Sequence, residues 1–302
     1  IVTADLEIDW ASLKISATAR RFFCFGSWVS AANNNARALS RRNGQHASPV
    51  TVMQSASIRL TMTALNAALY ASIGLLTYLG VFAPIVGVVR FWGLAVVVPA
   101  VFAVLFGPFV GGVGAAAGIF LSDMVVHGNV LVSLVAGVTS NYVMFCLIGW
   151  ISKKDFSSKL SRMLVGFGSV FVVLAFAATW YVGAQADVAT TSIFVIFCGT
   201  SLILLHIVVR FWSRWRSYAI GAIIGNACGS AIIGLTLWAM SQFFMLPSNL
   251  GYQVPLYAAA VWFLWTFSNQ MPFLLVLVPP VLDACYRAIP SVRMSHDQRA
   301  SN

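Results

Sequence analysis

From Leu60 onward, apolar residues run almost unbroken through one stretch after another, and polar residues gather in the short gaps between. Each run approaches the ~20 residues that cross a ~30 Å hydrocarbon core as helix. Ten-residue stretches of alternating polarity, the mark of a lipid-embedded barrel, do not occur in the pattern. The runs predict eight apolar segments, at roughly 59–80, 91–107, 109–127, 130–151, 161–184, 190–210, 217–245 and 255–281. The second and third meet in a tight hairpin at Gly107-Pro108, and the count drops to six or seven if either fails to cross. The expected fold is all-α: a polytopic transmembrane helical bundle of six to eight spans.

Composition agrees. The 302 residues are 60% hydrophobic and only 9% charged, against about a quarter charged in soluble domains. In a soluble protein the net charge of +10 would point to nucleic acid; here the cations fall in loops. Arg59, the Lys153–Lys154–Lys159–Arg162 group, the Arg210–Arg214–Arg216 group and the Arg287–Arg293–Arg299 group share one side if the span count is even. The excess of cations makes that side, and both termini, cytoplasmic. The other side carries Asp123, His127 and Asp187, with Arg90 as its single cation. Arg90 reads either as the partner of an anionic ligand or as a headgroup anchor. Residues 1–58 are basic, rich in Ser, Asn and Ala, and hold no span. They are expected to be a disordered tail or an over-extended gene start with Met53 as initiator, leaving the bundle at 59–285 and a cytoplasmic tail at 286–302.

Several patterns bear on chemistry. In "LNAALYASIG", Ala64 and Ala68, Ala67 and Ala71, and Gly74 recur at helical spacing. Small residues so placed let two helix backbones approach closely in lipid, within one chain or between subunits. The third segment, rich in Gly and Ala from Gly111 to Gly118, is expected at the centre of the bundle with Asp123 about a turn from its end. An acid there faces a cavity or a ligand, or serves as a cap or ion-pair partner of Arg90. Asn129, Asn141, Asn226, Gln242, Asn269 and Gln270 could orient a small polar molecule. Trp180, Tyr181, Trp238, Trp262 and Trp265 supply either pocket walls or an interfacial belt. The sequence has no HExxH, Walker A or GxSxG motif, and Ser230 with His127 or His206 makes only a forced dyad. The five cysteines include no CxxC pair. The expectation is a binding or transport protein, not an enzyme, with no metal and no cofactor.

Three stretches, "LNAALYASIGLLTYLG", then Arg90 with "VVVPAVFAVLFGPFVGGVGAAAGIFLSD", then "SLVAGVTSNYVMFCLIGWISKK", carry a family likeness across residues 60–155. Together they resemble the substrate-binding S components of energy-coupling-factor (ECF) vitamin transporters. The resemblance implies a cell-membrane bundle that captures a vitamin or related micronutrient outside, for uptake powered by separate ATPase subunits through a coupling transmembrane subunit. It implies that Ala64, Ala68 and Ala71 face that coupling subunit, and that Arg90, Asp123, His127 and Asn129 lie nearest the substrate. Asn141, Asn269, Gln270 and Trp265 complete the candidate site. The family usually has six spans, and the chain from Arg214 to Pro290 departs from its pattern. A self-contained ion-coupled secondary transporter, with Asp123 as the proton or ion site, is the alternative.

Overall fold

The structure, a computed structural model, describes residues 56–78, 92–126, 128–154, 188–246 and 252–288, with isolated positions between 156 and 177. Arg90, His127, nearly all of the N-terminal tail, most of the 161–184 segment and residues 289–302 lie outside the described residues.

Every regular element described is helical: α1 (Ala56–Tyr78), α2 (Val97–Phe106), α3 (Pro108–Val126), α4 (Val130–Ile151), α5 (Val188–Phe211), α6 (Arg216–Ser241), α7 (Tyr257–Val276) and α8 (Val278–Ala288). A helix satisfies its backbone polar groups within the segment, as hydrocarbon demands. Among the described residues α1, α3, α4, α6 and the α7–α8 stretch Tyr257–Ala288 are the five long and apolar enough to cross a membrane. That is consistent with a multi-pass membrane protein.

The run expected at 91–107 is helical only over Val97–Phe106. Its 10 residues reach about 15 Å, half the hydrocarbon thickness. Gly93 to Val96 form turns instead, and Pro99 sits in the first turn of the helix, where proline is tolerated. The hairpin at Gly107-Pro108 is present: Gly107 takes φ 109°, a conformation that favours glycine. Pro108 opens α3 with its fixed φ.

α3 packs against α1, α2 and α4; α6 bridges α4 and α7; α5 covers α7. The inner face of α1 is Met62, Asn66, Ala67, Tyr70, Ala71, Gly74 and Thr77. Asn66 Nδ2 donates to the carbonyls of Val110 (3.0 Å) and Gly111 (3.2 Å). That approach needs glycine at 114, since a Cβ there would collide with the Asn66 side chain. The alanine pairs of α1 thus divide between two faces: Ala67 and Ala71 are buried, while Ala64 and Ala68 are exposed.

α7 contains Pro272, which has no N–H to offer the Ser268 carbonyl one turn back. The Ser201 hydroxyl of α5 shares its one proton between that carbonyl, at 3.1 Å, and its own Phe197 carbonyl, at 2.6 Å.

Candidate functional site

The site begins where α3 ends. Gly128 takes φ 64° and donates its N–H to the Asp123 carbonyl at 3.2 Å, a left-handed cap that closes the helix. Asn129 then starts α4, its Oδ1 accepting from the Val132 N–H at 3.0 Å. A side-chain cap of this kind contributes about 1 kcal/mol, so Asn129 holds the turn that positions Asp123.

After its first residues, Val130–Val132, α4 passes through a π-helical stretch, Ser133–Val138, before continuing as α-helix. Such stretches rewire the backbone bonds locally. Ser133, Gly137 and Asn141 recur every four residues. Ser133 Oγ, buried, donates to Asp123 Oδ2 at 2.8 Å. Gly137 lies against the same carboxylate: a Cβ on it would sit 2.8 Å from Asp123 Oδ2. Asn141 Nδ2 donates to the Gly137 carbonyl at 2.8 Å, and Asn141 Oδ1 accepts from Tyr70 Oη at 2.7 Å.

Tyr70 carries the chain across the bundle. Its ring tilts against Trp92, centroids 5.4 Å apart, and meets the edge of Phe145 at 6.2 Å. The Trp92 N–H donates to Asn269 Oδ1 at 3.3 Å, and Asn269 Nδ2 donates to the Trp265 carbonyl at 2.6 Å. Trp265 in turn packs edge-on to Phe197 of α5 at 6.2 Å. Asp123, Asn141, Asn269 and Trp265 therefore follow one another in a run of polar and aromatic contacts by way of Gly137, Tyr70 and Trp92, with Ser133 as a branch on the Asp123 carboxylate.

The other candidates separate from it. Gln270 is buried beside Asn269 in sequence, yet its Oε1 has no hydrogen-bond partner among the described residues. Asn226 donates to the Phe267 carbonyl at 3.0 Å, tying α6 to α7. Gln242 Nε2 reaches the Val254 carbonyl at 3.0 Å and fastens the end of α6 to the loop before α7. Ser230 Oγ donates to Asn226 Oδ1 at 3.1 Å, while His206 Nδ1 lies 2.8 Å from its own Leu202 carbonyl. No Ser–His dyad forms between them.

Tyr70, Trp92 and Ser133 were not among the sequence candidates. Tyr70 had a usable signal: it follows Asn66 by one turn on the small-residue helix, so the two share a face. Comparison with known proteins finds no matching family model, no matching curated protein and no matching solved structure.

Proposed function

We propose that this protein is a membrane-embedded substrate-binding subunit of the ECF type. It captures a small vitamin-like molecule at the outer face and passes it inward when a separate ATPase module drives the step. The observation that carries the reading is the run of polar and aromatic groups from Asp123, with Ser133 on its carboxylate, past Gly137 to Asn141, Tyr70, Trp92 and Asn269. Polar side chains inside an apolar bundle are costly, and they cluster where a substrate or ion must be held. Aromatic faces interleaved with a few fixed polar groups are the composition of a small-molecule site. The exposed Ala64 and Ala68 give α1 an outward small-residue face for close contact with a coupling subunit. In this reading both termini are cytoplasmic, on the side of the lysine and arginine groups.

The test begins with the small molecule retained by protein purified from its native membrane. Asp123→Asn keeps an acceptor for Ser133 and should fold, but should bind that molecule about tenfold more weakly or worse, ~1.4 kcal/mol. Uptake of the molecule should stop when the coupling ATPase is deleted. Uptake that continues without the ATPase and follows a proton or sodium gradient selects the secondary transporter, with Asp123 as the ion site.

A further inference from the structure

The end of the bundle that carries the Gly107-Pro108 hairpin gathers cations from separate elements. α4 finishes there: Lys153 Nζ lies 3.4 Å from where a Cβ on Gly107 would sit, and Lys154 is exposed. α6 begins beside it, since a Cβ on Gly221 would lie 3.4 Å from both the Ser152 nitrogen and the Ile151 Cβ. Arg214 and Arg216, at the entry to α6, are therefore brought to the same end as the two lysines. Tyr218 Oη donates to the Leu274 carbonyl at 2.9 Å, which brings the end of α7, and α8 after it, to this place as well. Arg214 pairs with Asp283 of α8 at 2.7 Å. Arg287 is exposed and follows Asp283 by four residues, on the same face of α8. α8 packs in turn on α2, the helix that leads into the hairpin.

Lys153, Lys154, Arg214, Arg216 and Arg287 thus gather about Asp283, the one carboxylate among the described residues at this end. The whole chain has 18 lysines and arginines against 8 acids, so its own acids are too few to balance its cations. Aromatic rings lie among the charges. Lys154 Nζ stands over the Trp150 ring, 3.6 Å from its centroid, and the Arg214 guanidinium lies 5.1 Å from that of Trp215. Trp150 is 54% exposed and Trp212 49%, and the apolar Ile207 and Phe211 of α5 are exposed beside them. Half-exposed indoles under a rim of cations are the makeup of a bilayer's headgroup boundary, where the ring lies at the interface and the cation reaches the phosphates.

We propose that this end of the bundle binds the headgroup of an anionic phospholipid, seated between the lysines of α4 and the arginines of α6 and α8. The surplus of cations selects an anionic headgroup over a zwitterionic one. The exposed indoles and the apolar flank select a lipid over a soluble anion. This goes beyond the substrate reading and does not depend on it.

The test uses the full chain in detergent with equal amounts of phosphatidylglycerol and phosphatidylcholine, and counts bound lipid by native mass spectrometry. The parent should prefer phosphatidylglycerol by at least about tenfold and should keep it in millimolar inorganic phosphate. Lys154→Gln and Arg287→Gln change exposed side chains and should each weaken that retention about fivefold. Asp283→Asn removes the carboxylate and should strengthen it by a similar factor. Arg59→Gln is the control. It removes an exposed cation from α1 at the same end, since Asn66 of α1 bonds the carbonyls just after the hairpin. It should leave retention within about twofold. Equal retention of the two lipids overturns the proposal. Displacement by phosphate overturns it too, because the site would then hold a free anion. So does a loss in Arg59→Gln as large as in Lys154→Gln, because affinity would follow net charge and not this junction. Weaker retention in Asp283→Asn contradicts it as well, leaving that carboxylate a structural role only.

Discussion

The Ser133 hydroxyl donates to the Asp123 carboxylate, and Gly137 leaves room for it. Gly137→Ala should press a methyl onto that carboxylate, so ligand affinity should fall even where the fold survives, as a binding titration beside a melting curve will show. Tyr70 serves the site differently, by satisfying Asn141 Oδ1. Tyr70→Phe leaves a buried amide oxygen without its donor and should cost about 1–3 kcal/mol of stability, read from the thermal midpoint. Asp123, Asn141 and Asn269 were legible in the sequence because a polar side chain in an apolar run has few innocent explanations. Asn129, which the family likeness places near the substrate, caps α4 through its side chain; the Gly128-Asn129 pair carries the capping signal, and a polar residue at a span end fits both roles. Tyr70 and Trp92 were hidden because an aromatic residue in a membrane helix reads equally as core or as interfacial belt.

The sharpest case among the elements is α7. Pro272 frees the Ser268 carbonyl, and Ser201 of α5 takes it up across the interface. Ser201→Ala should therefore destabilise the chain, by about 1 kcal/mol or less, because the hydroxyl also bonds its own Phe197 carbonyl. The loss should shrink in a Pro272→Ala background, where the helix supplies its own donor. Equal losses in both backgrounds, measured as a double-mutant cycle, would show that Ser201 acts elsewhere. α1 was half legible. Its small-residue spacing predicted close packing, but spacing alone did not say that Ala67 and Ala71 turn inward while Ala64 and Ala68 turn out. That division follows from Asn66 and Tyr70, whose buried polar atoms choose the inner face. The π-helical stretch of α4 left no mark in hydropathy, because a change of backbone register alters no side-chain polarity.

For the molecule as a whole, long apolar runs were enough to predict an all-helical chain with several helices able to cross a membrane, since an uninterrupted hydrophobic segment has few other stable forms in lipid. They overstated the second segment: hydropathy counts apolar residues, whereas the turns over Gly93–Val96 leave Val97–Phe106 as the helix. Those turns place Trp92 between Tyr70 and Asn269, so the feature that shortens the span also completes the chain. On this reading the chain holds a small molecule within the bundle. This is tested most directly by mass spectrometry of the small molecules retained by the parent and by Asp123→Asn, both purified from the native membrane and matched for folding by their melting curves. The parent should retain one small compound near stoichiometrically, and the variant should lose it. A folded parent that retains no such compound, or a variant that retains it equally, would rule out a substrate site at Asp123.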